Sequence, residues 1–247
     1  MAISTLFMLK STSFLKQALR TLGLEVKRYQ FGIDLSDDLK SLHKSNPFEI
    51  CFDVGANCGQ TAKTLNHLFP EAKIYSVEPA SETFKKLQAA VAHIPNITPI
   101  RTAVGDKEGE GRLQIMGASV NSSLLTYNKP TGDDRVHDEE TVPLKTLTRI
   151  CEEHSIGHID FLKIDSQGFD LHVMRGAEPL FNAHKIRCLL TEVNDVQMYT
   201  GQAWLHEVFS FLGSHGMRFC GIYGVNREKD PYIHWADALF IDPAFSK

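Results

Sequence analysis

Phe52-Asp-Val-Gly-Ala-Asn-Cys-Gly59 decides how this chain is read. Before and into it, Glu49 to Val54 is an apolar run of strand length, and after it Thr61 to Leu68 spaces its apolar residues as a helix does. Glycines in the join let the backbone turn sharply and approach a neighbour closely. Strand, glycine turn and helix in that order open a parallel strand–helix–strand unit.

Working outward, the same alternation repeats. Lys73 to Val77 is a strand stopped by Pro79, Glu82 to Val91 a helix, and Ile97 to Val104 a third strand. Residues 106–147 interrupt the rhythm. Two short strands, Gly111 to Met116 and Thr141 to Leu144, flank a polar stretch containing Asn121-Ser122-Ser123 and Gly132-Asp133-Asp134. An excursion of that length is a lid or a solvated loop. Helices then follow over Leu147 to His154, Leu171 to Phe181 and Trp204 to Ser214, with strands over His158 to Ile164 and Arg187 to Val193. Met217 to Tyr223 and Ala236 to Ile241 are joined by a loop too short for a parallel crossover, so the last pair is antiparallel. The expected fold is α/β: a doubly wound, seven-stranded, Rossmann-like sheet, mostly parallel, with an antiparallel C-terminal strand.

Upstream, residues 3–22 space Leu6, Leu9, Leu15, Leu19 and Leu22 at near-helical intervals, with Lys10, Lys16 and Arg20 between them. Residues 1–46 read as an N-terminal helical extension ended by Asn46-Pro47, and 47–247 as the main domain with the insertion at 106–147. The first helix packs on the main domain, packs on a second copy in an oligomer, or rests on a membrane surface as a peripheral contact; the residues leave all three open.

Composition narrows the classes. A chain of 247 residues, 43% hydrophobic and 23% charged, suits one α/β domain with an extension. A net charge of -4 gives no basis for a nucleic-acid partner. Five scattered cysteines without a Cys-x-x-Cys pair argue against a disulfide framework or a thiolate zinc site, and fit a cytoplasmic protein. No apolar run reaches the roughly 20 residues of a membrane span. Ala2 to Leu9 lacks the basic start and cleavage site of a signal peptide.

Ligands of doubly wound sheets bind beyond the carboxyl ends of the strands. Asp53, Gly55, Asn57 and Gly59 stand there after the first strand, and Glu78 ends the second in register to accept hydrogen bonds from ribose hydroxyls. A nicotinamide dinucleotide fits poorly, because its fingerprint wants glycines where this chain has Asn57 and Gln60. Asp53 would also repel a pyrophosphate. It suits a ligand carrying an ammonium and a sulfonium, and Asp165 at the end of the fourth strand adds a second carboxylate; S-adenosylmethionine carries both cations. Asp106, past the third strand, either accepts a hydrogen bond from the adenine amino group or serves the turn beside Gly105.

These segments together resemble the FkbM family of methyltransferases. Phe52 to Gly59 matches that family's first motif, Val77-Glu78-Pro79 its second, and Ala103-Val-Gly-Asp106 with Gly109 its third. Val142-Pro-Leu-Lys-Thr-Leu147, Ile159-Asp-Phe-Leu-Lys-Ile-Asp165, Gly168 and Gly176-Ala177 match a fourth block, and Leu189-Leu-Thr-Glu192 a fifth. The resemblance runs from about residue 49 to the C-terminus. It implies methyl transfer to a hydroxyl, often of a carbohydrate or glycosylated metabolite. Gln167 and Asp170 stand where the family usually has glutamates. Asp170 keeps the charge with a shorter reach, while Gln167 loses it.

Several groups compete to remove the acceptor's proton. Lys163 shares a strand face with Asp165, and is a base or a charge clamp on it. His172, early in the following helix, is a base or a packing residue. Glu192 ends the fifth strand. With Asp165, Asn194 and Asp195 it makes an oxygen-only set that would suit Mg²⁺, or it orders loops around the acceptor. Asn121, Ser122 and Ser123 supply neutral hydrogen-bonding groups for a polyhydroxy acceptor, or make ordinary turns. Two other functions remain compatible with the residues: a non-catalytic S-adenosylmethionine-binding subunit of a glycan-assembly complex, and a nicotinamide-dependent oxidoreductase.

Overall fold

A computed structural model of the chain describes residues 17, 19–23, 30–117, 122–128, 136–227 and 231–245. Most of the expected 3–22 helix, Asn121 and Gly132-Asp133-Asp134 lie outside the described residues.

Helix α1 (Leu35–Ser45) begins where Asp34 accepts the Asp37 N–H, an N-cap. Its last carbonyls are satisfied from far along the chain: Arg187 donates to Leu42 O at 3.0 Å and to Asn46 O at 2.6 Å. Asp38, fully buried, accepts the Gly32 N–H and the Tyr223 hydroxyl. Leu35, Leu39 and Leu42 recur at helical spacing and pack into the layer beneath it, a period that the sequence reading did not single out.

Then come β1 (Ile50–Val54), α2 (Gln60–Leu68), β2 (Lys73–Val77), α3 (Ser81–Val91) and β3 (Ile97–Ile100). The strand expected over Ile97 to Val104 is split. β3 stays in the large sheet as an edge, where Pro99 is tolerated, and β4 (Ala103–Val104) leaves it to join β5 (Gly109–Met116) and β6 (Val136–Lys145). After α4 (Leu147–Glu153) and β7 (Ile159–Ile164), the helix expected over Leu171 to Phe181 is also two, α5 (Asp170–Gly176) and α6 (Glu178–Asn182). The break has a steric cause. Gly176 packs so closely on the Gly105 carbonyl that a Cβ would lie 1.9 Å from its oxygen, and Pro179 restarts the helix in its first turn. β8 (Ile186–Asn194), α7 (Leu205–Ser214), β9 (Arg218–Asn226) and β10 (Trp235–Ile241) complete the chain.

The large sheet has seven strands in the order β3-β2-β1-β7-β8-β10-β9. β10 is antiparallel to both neighbours and the other pairings are parallel. Alternate residues of the central strands feed opposite layers. Cys51, Phe161 and Leu190 pack with α1, α2 and α3, whereas Phe52, Leu162 and Leu189 pack with α4 to α7. The strand order reverses between β1 and β7, which opens a crevice at their carboxyl ends. The small sheet, β4-β6-β5, sits beside that crevice over a separate core of Ala103, Leu113, Val142 and Leu144.

Candidate active site

Backbone geometry shapes the floor of the crevice. Gly55 (φ 83°) and Asn57 (φ 47°) adopt the left-handed conformation, so the chain leaves β1 in a tight turn. Asn57 tolerates it through its own side chain, which accepts the Cys58 N–H at 2.7 Å. Gly59 (φ 87°) ends the turn with Leu87 against its Cα side, and α2 starts at Gln60.

Above the turn is a cavity of about 290 Å³. Gly55, Ala56 and Asn57 line it, as do Glu78 at the end of β2 and Lys163 and Asp165 at the end of β7. Glu78 accepts the Asn57 N–H through Oε2 and the Ala80 N–H through Oε1, so the carboxylate is fixed and its remaining lone pairs can take further donors. Burial pushes its pKa up to about 7 against the pull of those two bonds.

Lys163 donates to Asp165 Oδ2 at 3.0 Å and stands 3.7 Å from Asp53 Oδ1. Although burial opposes the charge, Asp53, Asp165 and Asp237 together raise the lysine's pKa, so it stays protonated and is the clamp rather than the base. Asp53 is fully buried below the cavity wall, and neither of its carboxylate oxygens meets a hydrogen-bond donor. Desolvation raises its pKa. The expectation that Asp53 meets the cofactor directly is therefore corrected: it supports Lys163 from beneath the turn.

Gln167, in a left-handed conformation at φ 53°, joins the cavity to two loops. Its amide donates to Asp165 Oδ1 at 2.7 Å, its side-chain oxygen accepts the Tyr199 hydroxyl at 3.0 Å, and its carbonyl accepts the Ser123 hydroxyl at 2.6 Å. Far from being a lost charge, the amide does what an ionised glutamate there could not, which is donate to Asp165. Asp170 is buried and accepts the Ser166 and Gly168 N–H groups, which caps the same loop. Burial and Asp165 raise its pKa to about 6.

The insertion forms one wall. Leu113, Ser122, Ser123 and Leu124 line the cavity. Ser122 accepts the Met116 N–H at 3.2 Å. Tyr127 bridges Tyr199 and stacks edge-on against it at 5.1 Å, which ties the insertion to the loop after β8.

Three of the open alternatives are not supported by the geometry. Asp106 lies outside the cavity lining and binds His172 at 2.8 Å. His172 is stacked on Phe169 at 4.2 Å and also lies outside the lining. The oxygen set for Mg²⁺ does not assemble: Asn194 turns its amide to Glu192 at 3.1 Å, Asp195 is exposed, and Asp165 is held by Lys163 and Gln167. Among the described residues no group of three or more His, Cys, Asp or Glu side chains converges for a metal. Glu192 also lies outside the lining; burial, then the charges of Asp165 and Asp170, raise its pKa to about 8.

Sequence reasoning missed Gln60, Thr61, Thr102, Leu113 and Phe169 on the cavity wall. Gln60 and Thr61 follow directly from the turn, since the first residues of α2 face what the turn holds. Leu113 and Phe169 carry no local signal; tertiary packing brings them there.

The charged groups on the wall are Glu78 and Asp165 with Lys163, and Asp53 lies behind. Such a wall repels a pyrophosphate and suits an adenosyl ligand with cationic groups. The strand order, with one antiparallel strand inserted next to the edge, and this acidic switch-point cavity define a Rossmann-like S-adenosylmethionine-dependent methyltransferase. The model of the methyltransferase FkbM domain matches residues 53–219, and the chain belongs to the FkbM methyltransferase family. It is 21% identical over 210 residues to the 2-O-methyltransferase NoeI of Sinorhizobium fredii, covering 81% of this chain and 85% of that protein. With the 31-O-demethyl-FK506 methyltransferase FkbM of Streptomyces tacrolimicus it shares 27% identity over 75% of this chain and 76% of that one. Among solved structures it is similar to Aeropyrum pernix fibrillarin with natively bound S-adenosyl-L-methionine, at a TM-score of 0.43, 18% identity and coverage of 78% of this chain and 66% of that one. No helix among the described residues is long and apolar enough to cross a membrane.

Proposed function

We propose that the protein transfers a methyl group from S-adenosylmethionine to a hydroxyl oxygen of a carbohydrate or glycosylated metabolite. One observation carries the reading: the acidic carboxylate–lysine–carboxylate arrangement at the switch point opens toward a wall bearing the Ser122 and Ser123 hydroxyls. The names of the two relatives support oxygen as the accepting atom, since each specifies a position on oxygen.

The cofactor supplies an electrophilic methyl on a sulfonium; the bond to sulfur breaks as the bond to oxygen forms, leaving a neutral thioether. Glu78 holds the ribose hydroxyls, with its orientation fixed by the Asn57 and Ala80 N–H groups. Asp165 faces the cationic end, and Lys163 keeps its net charge from being excessive. Glu192, near the end of β8 and behind the cavity lining, is assigned the proton that the acceptor hydroxyl loses, on its charge coupling to Asp165 and a pKa raised to about 8. Ser122 donates to a neighbouring oxygen of the acceptor. Calorimetric titration with S-adenosylhomocysteine, with NADH as control, tests the cofactor assignment. Transfer of labelled methyl to a panel of glycans and glycosylated metabolites then tests the acceptor. Micromolar binding of S-adenosylhomocysteine alone, with labelled ether products stable to base, is the expected result; exclusive binding of NADH, or labelling of nitrogen only, would overturn it.

A further inference from the structure

We propose that Gln167 is a positioning residue for methyl transfer: its amide, aligned by the Tyr199 hydroxyl, fixes the Asp165 carboxylate toward the cofactor cavity. The inference rests on the reading of Asp165 as the group facing the cofactor's cationic end.

The chain of donors allows one polarity. Lys163 is a donor only and occupies Asp165 Oδ2. The Asp165 carboxylate only accepts, so the Gln167 amide nitrogen has to face it and donates to Oδ1, which leaves Gln167 Oε1 to accept the Tyr199 hydroxyl. Both oxygens of Asp165 are thus held by donors from opposite sides, and the carboxylate is prevented from rotating. Tyr199 is itself immobilised. It is 1% exposed, its backbone N–H is held by Gln202 Oε1, and its ring packs against Tyr127 and Gly168. The left-handed backbone at Gln167 is pinned by the Ser123 hydroxyl on its carbonyl. Strain at a non-glycine residue, supported on three sides, is typical of a residue whose side chain has to point one way.

The groups around Asp165 sharpen the point. Asp53 from β1, Glu192 from β8, Asp237 from β10 and Asp170 from α5 crowd acidic groups around it, and Lys163 is the cation set against them. A further acid at position 167 would face Asp165 at hydrogen-bond distance, and two such carboxylates keep one proton between them. An amide gives the same bond with no proton to lose.

The test compares the full chain with Q167E and with the double variant D165N/Q167E, in which donor and acceptor are exchanged. Thermal melting is followed from about pH 5 to about pH 8.5, a window spanning the titration of a coupled carboxylate pair, and S-adenosylhomocysteine is titrated at each pH. Q167E should melt with the wild type at the acid end, where the shared proton replaces the amide hydrogen, and fall progressively below it as pH rises. The double variant should melt without that pH-dependent gap, yet bind S-adenosylhomocysteine about tenfold more weakly than wild type, the loss expected of one misplaced charged partner. A gap between Q167E and wild type that is flat in pH would overturn the inference. So would a double variant with the same gap as Q167E, or one that binds as tightly as wild type. If Q167E does not fold, the double variant still decides through its melting and its binding. Failure of the wild type itself to bind S-adenosylhomocysteine is a different result: it would sink the cofactor reading, and the positioning role with it.

Discussion

The backbone of Gly55 lies directly against that of Asp165: a Cβ built at Gly55 would stand 1.8 Å from the Asp165 carbonyl oxygen. The glycine turn after β1 and the acidic end of β7 are therefore one packed unit, joined also by the Asp165 N–H bonding to Val54 O at 3.0 Å. Cofactor floor and charge centre cannot move independently.

Gly55→Ala is expected to be severe for two reasons. The side chain collides with backbone, which cannot rotate away, and φ of 83° is strained for alanine. Overpacking and backbone strain each cost about 1–3 kcal/mol, so a loss of about 3 kcal/mol or more is expected in denaturant unfolding, together with loss of S-adenosylhomocysteine binding. A variant with wild-type stability would show that the two backbones are not in contact.

Glu78 gives a pH signature. Its pKa is raised from 4.5 to about 7, so its contribution to the stability of the free protein is complete below about 4.5 and lost as pH rises through about 7. Cofactor binding runs the other way, because the ionised carboxylate is the better acceptor of ribose hydroxyls. S-adenosylhomocysteine affinity should thus rise with pH and level off above about 7. Glu78→Gln should flatten that rise and weaken binding by about 1–3 kcal/mol, since one of the two backbone N–H groups also loses its acceptor. An unchanged pH profile in the variant would assign the titration elsewhere.

Asp53→Ala tests the clamp. Without Asp53, Lys163 turns wholly to Asp165 and cancels more of the charge that faces the cofactor. Binding of S-adenosylhomocysteine should weaken by about 1.5 kcal/mol although Asp53 lies below the cavity wall. Calorimetry on a variant whose circular dichroism matches wild type checks this. Undiminished affinity would make Asp53 purely structural.

The fold was legible where periodicity and punctuation agree. β1, β2 and β7 are apolar runs with sharp stops, and the short final connection dictated an antiparallel partner for β9. Boundaries failed where tertiary contacts override local pattern. Ile97 to Val104 has strand composition throughout, but Thr102 donates to Pro143 O and leads the chain into the second sheet. Gly176 looks like a tolerated helix glycine until the Gly105 carbonyl is seen against it. Of the site, Glu78 and Asp165 were legible as carboxylates at strand ends, since their address follows from topology. Asp106 and His172 stayed open between ligand and structural roles because local sequence does not show that two polar residues near the mouth satisfy each other, which they do at 2.8 Å. Gln167 was read as a missing charge because its donors and acceptors, Tyr199 and Asp165, meet only in the folded chain.

Glu192 sets the expected rate profile. Its pKa is raised to about 8, by burial first and then by the charges of Asp165 and Asp170, so in the free protein it is largely protonated below that pH. A group acting as base must be deprotonated, and the rate of methyl transfer should therefore climb with pH and reach a plateau. The cofactor's positive charge next to Asp165 favours the ionised form and draws the climb below about 8 in the complex, so kcat, and kcat/KM for the acceptor at saturating cofactor, should rise at lower pH than kcat/KM for S-adenosylmethionine. Glu192→Gln preserves the hydrogen bond with Asn194 by rotation of either amide but removes the base. It should lower kcat about a hundredfold or more and abolish the climb, while leaving S-adenosylhomocysteine affinity within about threefold of wild type. Initial rates against pH, measured on any acceptor the labelling screen provides, decide the matter. A variant that keeps both the rate and the rising limb would take the proton-accepting role from Glu192 and leave it as a neighbour that holds Asn194 and the loop beyond β8.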